Sequence, residues 1–62
     1  MTGPLRIAVA HPSAELYGSD LQLVETVAGF VEAGHHVRVT LPSSGPLAAK
    51  LTNVGATVEV LD

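Results

Sequence analysis

LRIAVA, at residues 5–10, is the stretch that decides the fold of this 62-residue chain. Its last four residues are all apolar, which is typical of a strand that is buried on both faces of a parallel sheet. The spacing of the apolar residues then changes: from about Asp20 to Ala33 they recur at the spacing of one helix face. Gly34 follows the last of them, where glycine readily takes the left-handed conformation that ends helices. We therefore expect a strand followed by a helix.

The second half of the chain repeats this order of elements. Residues 37–41 alternate apolar and polar side chains, which is the period of a strand with one better-buried face. Pro46 suits the first turn of a helix because its missing N–H would have no helical partner there. Gly55 supplies the end of that helix, and residues 57–61 alternate again. The chain therefore predicts a β-α-β-α-β order with parallel strands and right-handed crossovers.

The predicted fold class is α/β: a three-layer, Rossmann-like βαβαβ unit with a parallel sheet of order 3-2-1. In such a doubly wound sheet the first strand is innermost and has a further neighbour on its other side. The first strand here is also the most uniformly apolar of the three. We therefore expect residues 1–62 to form a partial Rossmann-like domain, about half of a larger one.

Composition and charge exclude several classes of function. The three basic residues, Arg6, Arg38 and Lys50, are far apart and the formal charge is −3, which argues against a nucleic-acid partner. No apolar run approaches the roughly 20 residues that span a bilayer, and the first residues do not form a secretory signal. His35 and His36 are neighbours that would point to opposite faces of a strand, so no metal site is predicted. We expect a cytoplasmic protein without a membrane span.

The segment HPSAELYGSDLQ, residues 11–22, follows the first strand at the carboxyl edge of the predicted sheet, where ligands bind in open α/β folds. Between strand and helix it contains one glycine, Gly18, and no lysine, so neither a dinucleotide fingerprint nor a P-loop is present and no cofactor is predicted. Two interpretations of the helix start stay open. Ser19 and Gln22 fit a capping box. Alternatively, Gly18 lets backbone N–H groups approach a phosphate, although the carboxylate of Asp20, which suits the helix dipole, would repel it.

Three elements taken together resemble the start of a GT-B glycosyltransferase of the retaining, family-4-like type. They are the loop end Tyr17-Gly18-Ser19-Asp20, the helix at residues 21–33, and the segment Ala33-Gly34-His35-His36-Val37. In that family the first loop ends in Gly-Gly-x-Glu, and the helix leads into Ala-x-Gly-His-x-Val. Gly18 and Asp20 match the second glycine and the acid, whereas Tyr17 stands at the position of the first glycine.

The resemblance implies that the chain is part of the acceptor-side N-terminal domain of an enzyme that transfers a sugar from a nucleotide-sugar donor to an acceptor. In such enzymes the glycine loop faces the cleft near the donor's phosphates, and the donor site itself belongs to a C-terminal domain. The 62 residues alone are therefore expected to be inactive. The candidate substrate- and donor-phosphate-binding residues are Gly18, His11, Ser19, Tyr17 and Glu15, and none is assigned a catalytic role.

Each candidate also has a structural interpretation. Gly18 would serve a turn that needs a positive φ, and His11 would be a partly buried, hydrogen-bonded side chain at the end of the first strand. A second hypothesis for the whole chain is a self-associating folding fragment with no ligand function. Its first strand is an apolar edge with only Arg6 nearby to discourage pairing with another chain. This hypothesis predicts a homo-oligomer joined through that strand or through uncovered helix faces.

Overall fold

Five elements follow one another in the order predicted from the sequence. The computed structural model describes residues 3–12 and 18–61, and contains β1 (Arg6–Ala10), α1 (Gly18–Glu32), β2 (His36–Leu41), α2 (Pro46–Asn53) and β3 (Thr57–Val60). The strands form one sheet in which β1 pairs with β2 and β2 with β3, both in parallel. The α/β class and the βαβαβ unit predicted from the sequence are confirmed.

Both helices end in the same hydrogen-bonded motif. At the end of α1, Gly34 has a φ of +93° and its N–H donates to the carbonyl of Val31, while the N–H of His35 donates to Phe30. At the end of α2, Gly55 has a φ of +102°, and equivalent bonds run from Gly55 to Thr52 and from Ala56 to Leu51. These are the two bonds of a Schellman motif, so each glycine ends its helix and starts the next strand. Neither α1 nor α2 is long and apolar enough to cross a membrane.

The alternation along β2 separates the two faces of the sheet. Val37, Val39 and Leu41 are buried, whereas His36 and Arg38 are exposed. The buried face packs against both helices, because β2 shares one apolar core with a side chain of α1 and two of α2: Val27, Leu47 and Leu51. All three of these side chains have no accessible surface. Since both helices contribute to the same core, the described residues form two layers.

β1 lies at one edge of the described sheet, because β2 lies between β1 and β3. This agrees with the uncovered first-strand edge expected for these residues alone, and an innermost place of β1 in a larger sheet stays a prediction. Ala8 and Ala10 of β1 are exposed, and Ile7 and Val9 are half-buried. The face of the sheet that a third layer would cover is open. A third layer and a further neighbour of β1 stay predictions, because no described residue provides them.

Candidate functional site

His11 directly follows β1 at the carboxyl edge of the sheet. Its backbone N–H donates a 3.0 Å hydrogen bond to the carbonyl of Thr40, which extends the ladder between β1 and β2 by one residue. Its side chain is 17% exposed, and Nε2 of the imidazole lies 2.6 Å from Oδ1 of Asp20. The backbone hydrogen bond to β2 therefore fixes the position of the His11 backbone, and the contact with Asp20 fixes the orientation of the imidazole ring.

Asp20 links the start of α1 to this edge of the sheet through its hydrogen bond with His11. It is the third residue of α1 and, within the part of the chain that the structure describes, the only charged residue that is buried. The partial positive charge of a helix N-terminus stabilises a carboxylate in this turn. An ionised carboxylate only accepts hydrogen bonds, so the imidazole donates through Nε2 and, when neutral, keeps Nδ1 as an acceptor.

The bond between His11 and Asp20 was not predicted from the sequence. The geometry of His11 agrees with its structural interpretation, a partly buried and hydrogen-bonded histidine, while part of the side chain remains accessible at the edge. Asp20 was interpreted as a partner of the helix dipole and as the match to the acid of the glycosyltransferase loop, and not as a partner of His11. The two residues are nine positions apart across a loop, and such a separation produces no periodic signal.

Two of the other candidate residues lie in the first turn of α1. Gly18 is the first residue of the helix and is exposed, and its turn interpretation stays a prediction. A Cβ at Gly18 would meet no atom of the described residues within 4 Å. Ser19 lies inside the first turn and not before it, where a capping box would need it. Tyr17 and Glu15 lie outside the described residues.

A cleft of about 280 Å³ opens beside His11 at the carboxyl edge. Besides His11, the side chains that line it are mostly apolar: Ala10, Pro12, Thr40, Leu41, Pro42 and Leu61. Leu61 is 65% exposed, so this wall stands open to solvent. Apolar walls with a few fixed polar groups are the usual composition of small-molecule sites, whose volumes are about 300–1,000 Å³. The volume of the cleft lies just below this range.

His35 has a structural role at the opposite edge of the sheet. Its Nδ1 accepts a 3.0 Å hydrogen bond from the backbone N–H of Leu5, and its ring packs edge-on against Phe30 with the centroids 6.3 Å apart. His36, the first residue of β2, is exposed. Across residues 3–12 and 18–61 there is no group of three or more His, Cys, Asp or Glu side chains that could hold a metal ion.

Removing the carboxylate of Asp20 is expected to destabilise the fold. In Asp20→Ala the part-buried Nε2–H of His11 loses its acceptor, which costs about 1–3 kcal/mol of unfolding free energy. The loss should lie toward the upper end, because this bond is not the only polar interaction of Asp20. Urea unfolding followed by circular dichroism measures the change.

The matched control for Asp20→Ala is Glu25→Ala, which removes an exposed carboxylate from the same helix. With both variants measured at molar salt, which screens charge contacts between molecules, its effect on the unfolding free energy should stay within about 0.5 kcal/mol. Equal losses in the two variants would show that the His11–Asp20 bond contributes nothing specific to the fold.

Comparisons with protein-family models, curated proteins and solved structures give no match for this chain.

Proposed function

We propose that this chain forms the first part of the acceptor-side, Rossmann-like domain of a GT-B glycosyltransferase. In this proposal the carboxyl edge beside His11 contacts the acceptor sugar and the diphosphate of the nucleotide-sugar donor. The observation that carries it is the His11–Asp20 bond, which holds a polar ring at the edge where open α/β sheets bind ligands. The enzyme class itself comes from the resemblance of residues 17–37 to that family.

Gly18 supports the phosphate side of the proposal. The space that the described residues leave around Gly18 does not require a glycine, since a Cβ there would contact none of their atoms within 4 Å. A glycine at an open helix start allows the close approach of another group, such as a ligand. The first N–H groups of a helix have no helical acceptors, and their partial positive charge favours an anion such as phosphate.

His11 and the cleft beside it support the sugar side of the proposal. With Nε2 donating to Asp20, the neutral imidazole offers Nδ1 to a hydroxyl donor. Pro12 and Pro42 line the same cleft with apolar surface, which suits the C–H groups of a sugar ring. Asp20 is almost completely buried, so its charge is directed at His11 and does not face the cleft as a competing acceptor.

Sugar transfer by the 62 residues alone is not part of the proposal. Transfer requires donor and acceptor to be held together in reacting geometry, and this edge supplies one wall of such a site. We therefore expect ligand binding to be weak and the isolated chain to show no transferase activity.

The test is a titration of the ¹⁵N-labelled chain with uridine diphosphate, followed through the amide signals. The expected result is saturable shifts at Gly18, Ser19 and His11, with a dissociation constant on the order of millimolar, as befits one wall of a site. In Gly18→Ala the added methyl should weaken binding about fivefold or more, a loss on the order of 1 kcal/mol. The fold should be retained, because the position is open and alanine favours helix.

Gly29→Ala is the control, because it makes the same exchange in α1 at a position that is exposed and equally open. It should leave uridine diphosphate binding unchanged. The proposal would be contradicted by the absence of shifts at the carboxyl edge. Shifts confined to the arginines of the sheet would also contradict it, because they would report simple charge attraction.

The edge position of β1 favours a second candidate, self-association without a ligand. One edge of β1 pairs with β2, and no described strand pairs with the other. Unpaired edges recruit strands from other chains unless charge or shape prevents it. In this candidate two copies of β1 pair directly, through backbone bonds that depend little on salt.

A further inference from the structure

One face of the sheet is uncovered and carries most of the basic charge of the protein. The register places Arg6 opposite His36, Ala8 opposite Arg38, and Arg38 opposite Thr57. We call the face that these residues share the open sheet face; it also contains Ala10, Thr40 and Glu59. Its groove of about 390 Å³ lies over Ala8. Two of the three basic residues of the chain are on this face, and only Lys50 is elsewhere.

The charge balance of the open sheet face is positive. Arg38 lies 3.5 Å from Glu59, and both side chains are more than half exposed. The guanidinium of Arg6 makes no ion pair with any residue in the described ranges. Exposed ion pairs such as Arg38–Glu59 contribute little interaction free energy, so Arg38 remains available to another carboxylate.

The outer side of α1 has the opposite charge. Leu21, Glu25 and Glu32 fall at positions i, i+4 and i+11, which lie within a narrow stripe at 100° per residue, and all three are exposed. We call them the α1 stripe. Leu21 is 46% exposed and adds apolar surface to this stripe. The sequence of α1 contains no basic residue to offset its glutamates.

We propose that the α1 stripe of one copy packs on the open sheet face of a second copy. The spacing of the charges agrees: Glu25 and Glu32 are about 10 Å apart along the helix, and the register separates Arg6 from Arg38 by about 8 Å. Three strands about 4.8 Å apart, with Ala8 and Ala10 as small side chains, give a surface on which a helix about 10 Å wide fits.

The contact between the α1 stripe and the open sheet face would give the sheet a cover on its second face. Parallel sheets are normally covered on both faces, and a domain of about 60 residues gains little stability from a single core. A helix from a second copy would complete a helix–sheet–helix arrangement and cover part of Leu21. This inference does not depend on the proposed sugar-transfer function, because it uses the α1 stripe and the open sheet face and not the carboxyl edge.

The arrangement of the two surfaces determines the kind of assembly. Because α1 covers one face of the sheet, the α1 stripe and the open sheet face lie on opposite sides of the molecule. Such a contact joins copies head to tail and does not close into a two-fold dimer. The protein should therefore form a range of sizes that grows with concentration.

Sedimentation equilibrium at low and at high salt is the first test. At low salt the weight-average mass should rise steadily with protein concentration. At molar salt, where charges are screened beyond about 3 Å, the apparent dissociation constant should rise about tenfold or more. A chain that is monomeric at every concentration would overturn the inference. Association that does not respond to salt would also overturn it, and would favour edge pairing of β1.

Charge reversal gives a sharper test, because the two surfaces can be changed separately. Glu25→Lys/Glu32→Lys should be monomeric alone, since its basic stripe meets a basic sheet face. Arg6→Glu/Arg38→Glu should also be monomeric alone, for the opposite reason. An equimolar mixture should associate again, because each variant then offers the surface that the other needs. Mixtures that stay monomeric, or single variants that associate like the unchanged protein, would overturn the inference.

Two controls accompany the charge reversals. Lys50→Glu changes an exposed charge on α2, away from both surfaces, and should leave the association constant within about twofold of the original. If circular dichroism shows that Arg6→Glu/Arg38→Glu is unfolded, Arg6→Gln/Arg38→Gln replaces it. That milder variant should weaken self-association about fivefold or more, and an unchanged association constant would count against the inference.

Discussion

Leu51→Ala is expected to remove a large part of the stability of the protein. The side chain of Leu51 has no accessible surface and lies in the core where α2 faces β2. Removing a buried leucine side chain costs about 2–5 kcal/mol, because the site loses transfer free energy and leaves a cavity. A chain of this length has a total unfolding free energy of only about 3–9 kcal/mol. The substitution therefore removes between about a fifth of this stability and all of it.

Urea unfolding of the two proteins, followed by circular dichroism, measures this loss. Leu21→Ala is the matched control, because it makes the same exchange at a helix position that is 46% exposed. At high salt, where the proposed assembly is dissociated, it should change the unfolding free energy by less than about 1 kcal/mol. A Leu51→Ala variant that unfolds at the same urea concentration as Leu21→Ala would contradict the core described above.

The second large effect is expected at Gly55, where the end of α2 passes close to α1. Its φ of +102° disfavours any side chain, and a Cβ there would lie 2.8 Å from Cγ1 of Val31. Gly55→Ala should therefore lower the unfolding free energy in two ways. The left-handed backbone should cost about 1–2 kcal/mol, and the overpacked contact with Val31 should cost about 1–3 kcal/mol.

Gly34→Ala separates these two contributions. Gly34 ends α1 with a similar φ of +93°, but a Cβ there would meet nothing within 4 Å. Its loss should be about 1–2 kcal/mol, from the backbone conformation alone. Combining Gly55→Ala with Val31→Ala should recover part of the contact cost, although the smaller side chain has its own cost. Equal losses in Gly55→Ala and Gly34→Ala would show that the two helices are not in contact at this point.

The order and type of the elements could be predicted because the periodicity of apolar residues changes at each boundary. The alternation at residues 37–41 predicted a strand with one better-buried face, and Val37, Val39 and Leu41 are indeed buried. The two helix ends resemble each other in sequence because each forms the same glycine-based motif. Only the exact start of α1, two residues earlier than expected, differs noticeably.

What covers the outer edge of β1 and which polar contacts form at the site could not be predicted in the same way. An apolar run such as residues 7–10 shows that its side chains suit burial on both faces, but it contains no information about what lies beside the strand. The contact between His11 and Asp20 depends on how the chain turns between β1 and α1. No local pattern encodes that path, so the buried carboxylate became evident only from the fold.

The most direct test of the account is the set of proton–proton distances between β1 and β2, measured by nuclear Overhauser effects on the labelled protein. Parallel strands in the described register place Ile7 beside Val37 and Val9 beside Val39, with the amide of His11 bonded to Thr40. We expect contacts in which both residue numbers increase together. Contacts in which one number rises while the other falls would mean antiparallel strands. In that case His11 would not lie at a shared carboxyl edge, and the proposed ligand site would be excluded.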